Sequence, residues 1–376
     1  MTAIAGMRRL DETIQRMGGR GDNWHTTWAA DDKLYTGMCD GTGFENVDGH
    51  TGMFYISRVY AINGDPPHHS FEHLSGFPDL TKGPGPDDRN TYYGFGLIAL
   101  DDHLYYYLST PNHPFTYEGA RFVGTKLIYS PDLGETWLNQ DGSELVWEKW
   151  SERNRDNMAF FEEPDDVFSL VSVLQMGKNY EQNRDGYVYI YAPNGNVEGR
   201  MNQLAMLRVP RESILDRSRY EYFVSRNADG SATWSKDINE RGLTHTFPGG
   251  YVNTKVHPYA WQPGVVYNAP LGLYMMSSWG MAVSDDGMWF DGPSYLGFWV
   301  AEQPWGPWRQ VHEETSWTPA GDQLALAYQP QISPKWIAED GKSFWMAWTD
   351  FQRPEEGGKR PYYDYNIQKV EILTEQ

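Results

Sequence analysis

The chain has 376 residues, enough for one large core or two ordinary ones, and its 40% hydrophobic content excludes a disordered tail. With 31 Lys and Arg against 51 Asp and Glu, it carries a net charge of −20, which disfavours nucleic acid and anionic membrane surfaces as partners. A single cysteine, Cys39, excludes an intrachain disulfide and a cysteine-rich zinc site.

Aromatic residues make up 15% of the chain, and 38 Gly and 23 Pro punctuate it throughout, a mixture that suits many short strands joined by turns. Residues 1–20 read as an N-terminal extension, with a helix predicted over Met7 to Met17. Arg8 and Arg9 are followed by no apolar stretch, so the sequence as given shows no signal peptide. That leaves either the cytoplasm or export under a leader outside the given sequence. No apolar run approaches the ~18 residues of a membrane span.

The segment from Gly21 to Gly41 reads as a hairpin turning at Ala30 to Lys33. A two-residue loop at Asp31-Asp32 sets Asn23 opposite Asp40 and Asp22 opposite Gly41. A three-residue loop makes Asp22 and Asp40 direct or diagonal neighbours. Either way two carboxylates meet at the open end of one hairpin, within roughly 5–8 Å. Paired carboxylates at such spacing divide the acid, base and nucleophile roles of glycoside hydrolysis, and each pushes the other's pKa. The plainer alternative is that both aspartates are turn and cap residues. His68, His69 and His73 share a loop but lack a carboxylate pattern, so no metal site is assigned. No cofactor is expected, although a structural cation on a propeller axis is compatible with the sequence.

Further along, a turn followed by an aromatic strand recurs five times, marked by Tyr35, Tyr105, Tyr189, Tyr274 and Trp345. The intervals are 70, 84, 85 and 71 residues, each longer than the ~40–50 residues of a minimal four-stranded blade. Five β modules without a long helical pattern predict an all-β chain, a five-bladed β-propeller forming one domain over residues 1–376. Ser130 to Trp137 matches the S-x-D-x-G-x-T-W turn called an Asp box, found between outer blade strands of sialidase-like propellers, with looser echoes at Asn227 to Trp234 and Ser284 to Trp289. Trp147 to Asp166 reads as a charged loop, and a short helix is predicted over Arg211 to Asp216.

Motifs for nucleophilic serine (G-x-S-x-G), phosphate binding (G-x-x-x-x-G-K-[ST]), zinc proteolysis (H-E-x-x-H) and dinucleotides (G-x-G-x-x-G) are absent. Two further segments are rich in hydrogen-bonding groups. Lys178, Asn179, Tyr180 and Arg184 precede a buried-looking strand and could hold sugar hydroxyls or a carboxylate. His257 and Tyr259 could act as an acid–base pair, or His257 could simply satisfy a buried carbonyl.

Three stretches carry a resemblance. Asp22 to Thr36 follows D-N-W-x-x-T-W-A-x-D-x-x-L-Y-T, Gly177 to Tyr191 follows G-K-N-Y-x-x-x-R-D-G-Y-V-Y-x-Y, and Ala301 to Trp308 follows A-x-x-P-x-G-P-W. On these the chain resembles a bacterial family of domains of unknown function that includes endo-D-arabinanase glycoside hydrolases. The resemblance implies a five-bladed propeller whose two aspartates near the N-terminus, here Asp22 and Asp40, are catalytic. One departure is Cys39, where the pattern has Gly before the second aspartate, so that a side chain stands beside the approach to substrate.

The expectation is a glycoside hydrolase acting on a carbohydrate, with arabinofuranosyl linkages suggested by the resemblance. Asp22 and Asp40 are its catalytic pair, and Trp24, His25, Lys178, Asn179, Tyr180, Arg184 and His257 its substrate-binding residues. Two rivals remain open. A polysaccharide lyase would use His257 or His25 with Tyr180 or Tyr259, with Arg184 or Lys178 neutralising a uronate. A non-catalytic sugar-binding propeller would use none of this chemistry. Oligomeric state is left undetermined.

Overall fold

The computed structural model describes residues 4–81, 91–114, 121–195, 202–248, 262–282, 290–354 and 358–375. They form five antiparallel sheets arranged as the blades of a β-propeller. In each, an inner strand pairs with a second strand: Thr26–Trp28 with Leu34–Gly43, Tyr93–Leu100 with His103–Pro111, and Ser172–Val173 with Tyr187–Pro193. Blade 4 pairs Gly264–Asn268 with Leu273–Gly280, and blade 5 pairs Ala327–Ile337 with Ser343–Asp350. All five aromatic markers fall on these second strands.

The turns before the second strands explain the regularity of the beat. Each holds a residue at positive φ: Asp32 (70°), Asp102 (64°, beside Asp101 at 49°), Gly186 (79°), Gly272 (66°) and Gly341 (72°). Asp and Gly are the residue types that reach this conformation cheaply, so the turn chemistry fixes where every second strand starts. Buried aliphatic and aromatic side chains then pack blade on blade; Val188 and Ile190 of blade 3 share one cluster with Ile98 of blade 2 and Val265 of blade 4.

The predicted N-terminal helix is instead a strand. Ile4–Arg16 lies along Asn366–Thr374 and forms the outer strand of blade 5, so the two ends of the described chain close the ring together. Its register shifts between Ile4 and Gly6 and between Leu10 and Gln15. Each irregularity resets the in–out alternation, so the buried Ile4 and Met7 stand three apart and imitate a helical period. The helix predicted over Arg211 to Asp216 is one 3-10 turn, Arg211–Ser213. Trp147 to Asp166 is largely irregular, as expected of a loop, but Phe160–Phe161 pairs with Phe122–Ser130, and Glu148, Arg153 and Glu163 are buried. No helix among the described residues is long and apolar enough to cross a membrane.

The closing strand is anchored electrostatically. Arg9 donates to both carboxylate oxygens of Glu314 on blade 4, at 2.6 and 2.8 Å, and His312 lies 3.0 Å from the same group. Burial would raise the Glu314 carboxyl, but the hydrogen bonds from His312 and Arg9 outweigh it and hold the pKa at about 2. A depressed folded pKa stabilises above the unfolded value and is lost as pH falls through the folded one. Glu314→Gln should therefore lower stability by about 1–3 kcal/mol at neutral pH. The gap to the parent protein should narrow as pH drops from about 4.5 toward 2, as chemical denaturation at several pH values would show.

Candidate active site

The hairpin carrying Asp22 and Asp40 turns through a three-residue loop, with Thr27 opposite Tyr35 and the Ala29 N–H donating to the Lys33 carbonyl at 3.0 Å. Continued unbroken, that register would set Asp22 opposite Asp40. It breaks at Asn23, which sits at φ 61°, while the His25 N–H donates back to the Asn23 carbonyl at 2.7 Å. Asp22 consequently pairs with Cys39. Beyond that pair, Arg20 faces Gly43, so residues 40–42 bulge against Gly21 alone. Asp40, at φ 49°, is the first residue of this bulge. A bulge re-aims a side chain, and here both aspartates line one cleft. Gly41 is needed for the close approach: a Cβ there would lie 1.9 Å from the Arg20 carbonyl oxygen. Gly41→Ala should lose most activity along with some stability, measured by turnover and thermal midpoint on the same preparation.

The cleft has a volume of about 990 Å³ and opens at the end of the propeller away from the turns before the second strands. Blade 2 contributes Tyr93, Phe95 and Phe122, and blade 4 contributes Trp279 and Phe290. Tyr328, Phe351 and Tyr363 come from blade 5. Two tyrosines hold Asp22. The Tyr328 hydroxyl donates to its Oδ2 at 2.6 Å, and the Tyr363 hydroxyl lies 3.1 Å from the same oxygen and 3.0 Å from the Asp40 carbonyl. Oδ1 of Asp22 is buried with no hydrogen-bond partner among the described residues.

This environment raises the Asp22 carboxyl from its ordinary range to about 6. Burial is the dominant cause, opposed by the two tyrosine hydrogen bonds and by the positive field of Arg360. The same burial, reinforced by the Asp22 charge, pushes both tyrosine hydroxyls well above their usual value, so they remain donors at all ordinary pH. A carboxyl of this kind can carry a proton near neutrality while a second carboxylate stands in the same cleft.

The other residues singled out in the sequence lie elsewhere. Trp24 is not a sugar-facing ring: it is 1% exposed, packs edge-on against Tyr365, and donates to Thr349 at 3.0 Å. Neighbouring the Asn23 turn, it closes the interface between blades 1 and 5. His25 faces a small chamber on the propeller axis with Ser172, Gln175 and Gln331, and its burial lowers its pKa to about 4. Lys178 and Asn179 belong to the opposite end. Lys178 pairs with Asp32 at 3.3 Å, and Asn179 accepts from the Asp101 N–H at 2.9 Å, tying blade 3 to the turns of blades 1 and 2. The strand between Asp32 and Asp40 separates those ends by roughly 20 Å. Tyr180 is buried in the core at 2% exposure, and Arg184 is exposed in the turn leading to Tyr187. Neither lines the cleft, so this polar segment links blades rather than binding substrate there. His257, Tyr259 and the echo at Ser284 to Trp289 lie outside the described residues. Cys39 does not line the cleft: its thiol donates to the Gly94 carbonyl at 3.4 Å between blades 1 and 2.

What the sequence did not single out is the set contributed by blade 5, above all Tyr328, Tyr363 and Arg360. Two of its tyrosines, Tyr362 and Tyr363, follow the strand-poor stretch after Asp350, which a reader of strands passes over.

No protein-family model and no curated protein sequence matches the chain. Solved structures do match. A presumed hydrolase from Bacteroides ovatus aligns with 14% identity and a TM-score of 0.50, covering 95% of this chain and 87% of its own. A xylan β-1,4-xylosidase from Bacillus halodurans aligns with 9% identity and a TM-score of 0.50 over 95% of this chain. This chain spans about half of that xylosidase, 53% of its length. An α-L-arabinofuranosidase from Podospora anserina aligns with 10% identity and a TM-score of 0.44, over 95% of this chain and 92% of its own. The likeness is one of fold. Carbohydrate-cleaving propellers are thus among the structural neighbours of this chain.

Proposed function

We propose that this protein is a glycoside hydrolase that cuts a polysaccharide or oligosaccharide, with arabinofuranosyl linkages the first class to test. Asp22 is the general acid and Asp40 the base or nucleophile. The observation that carries this reading is the pair itself: two carboxylates from one hairpin open into one aromatic-lined cleft, and one of them is held protonatable near pH 6. The tyrosines occupy Oδ2 of Asp22, and its buried Oδ1 has no hydrogen-bond partner among the described residues. Aromatic side chains such as Phe54 and Tyr93 supply apolar surface for sugar rings. Burial of the acid makes its proton available for transfer to the leaving glycosidic oxygen, while the second carboxylate acts on the anomeric carbon directly or through water.

The direct test is a reducing-end screen over furanose- and uronate-containing polysaccharides with the parent protein and the two aspartate variants. New reducing ends that vanish in both variants support the reading; ends that persist in both overturn it. A lyase would reveal itself by an unsaturated, ultraviolet-absorbing product. Of the groups a lyase would use, His25 and Tyr180 do not line the cleft, while His257 and Tyr259 lie outside the described residues, so the product itself is the discriminator.

A further inference from the structure

One side of the cleft carries guanidinium groups whose hydrogen-bonding edges the proposed chemistry does not use. Arg20, two residues before Asp22, and Arg360 both line it. The central guanidinium carbon of Arg360 lies over the Phe351 ring, 3.6 Å from its centroid, and 5.6 Å from the centroid of Tyr363. Among the described residues neither guanidinium makes a hydrogen bond or an ion pair; Arg20 only feels Glu45 at longer range. Glu45 is itself bound by Lys359, at 3.0 Å. On this side Arg20, Lys359 and Arg360 stand with Glu45, which Lys359 already engages, while Arg360 reaches Asp22 only through its field, in a protein whose net charge is −20. A half-buried guanidinium presents five donors, and stacking on a ring fixes its plane while leaving its N–H edge open.

We propose that Arg20 and Arg360 form a subsite for a carboxylate on the glycan, so that the preferred substrate is a largely neutral chain bearing an acidic sugar near the bond that is cut. The inference rests on the hydrolase reading for the word substrate, but not for the binding. A planar carboxylate matches the guanidinium edge in bidentate fashion. The overall charge argues against a polyuronate, whose many carboxylates would meet the acidic surface at every other point. Asp22 and Asp40 in the same cleft argue against a phosphate, because its second charge doubles the repulsion.

The test is calorimetric titration of the full chain with D-glucuronate, D-glucose and inorganic phosphate. Glucuronate is expected to bind about tenfold or more tightly than glucose, and more tightly than phosphate. Arg360→Gln and Arg20→Gln should each reduce that preference, and Arg360→Lys should restore part of it. Arg208→Gln, which removes a guanidinium paired with Glu221 outside the cleft, should leave it intact. Thermal midpoints measured alongside identify a variant that has lost its fold. Glucuronate no tighter than glucose, including binding of neither, overturns the proposal, as does tighter binding of phosphate. Adding a glucuronate-bearing arabinogalactan and its carboxyl-reduced form separates the two readings. Glucuronate preference without reducing ends from either polymer counts against hydrolysis and leaves the subsite standing. Equal cleavage of both polymers without that preference does the reverse.

Discussion

Replacing Asp22 or Asp40 by Asn is expected to cut turnover by about 10²–10⁴-fold on any polysaccharide the protein cleaves, the range that a positioned acid or base contributes. The substitution keeps shape and hydrogen-bond capacity, so the loss reports the carboxyl chemistry rather than a cavity. Asp22→Asn should not lower the thermal midpoint at neutral pH. The carboxyl it removes is buried, and its raised pKa means that the charged form is disfavoured there. Asp31→Asn is the informative control. Asp31 sits on the same hairpin, at the far end, where it accepts from the Tyr35 hydroxyl at 2.9 Å. If Asp31→Asn loses as much activity as the other two, the hairpin matters for folding and not for chemistry. If Asp22→Asn and Asp40→Asn both retain activity, the pair is a turn decoration.

The fold was readable because its signals are local. The residue that reaches positive φ in each turn and the aromatic strand that follows recur within a few positions of one another, at Asp32 and Tyr35 as at Gly272 and Tyr274. The N-terminal strand misled because its alternation is broken twice, between Ile4 and Gly6, which leaves the buried Ile4 and Met7 three apart, and between Leu10 and Gln15. The aspartate hairpin stands between these cases. Its turn could be counted, but the Asn23 break that pairs Asp22 with Cys39 depends on Trp24 being drawn into the interface with blade 5. The rest of the cleft lay outside local reading altogether. Tyr328 and Tyr363 reach Asp22 across more than 300 positions, because the ring closes first strand against last. Lys178 and Asn179 illustrate the converse: a dense run of donors looks like a binding site until topology places it on the other rim, where its partners are turns.

The pH profile is the second large effect, and it separates the roles of the two aspartates. If Asp22 is the acid, it must be protonated to act, and its pKa is about 6. Activity should then fall tenfold per pH unit above that value. The groups that favour the charged form set where the limb lies. Tyr328 donates to Asp22 at 2.6 Å, and Arg360 adds a positive field, so Tyr328→Phe and Arg360→Gln should each move the limb to higher pH. A loss of packing alone would lower the rate without moving the limb. The same group leaves a mark on stability of known sign. Its folded pKa lies above the ordinary carboxylate value of 3.8, so its contribution is complete below that pH and is lost as pH rises through about 6. Asp22→Asn should therefore gain on the parent protein across that window, by an amount on the order of 1–3 kcal/mol. Chemical denaturation on either side of the window measures it. A rate limb that falls toward acid near pH 6, with the stability window unchanged, would exchange the two roles: Asp22 would then act as the base or nucleophile, and Asp40 would deliver the proton.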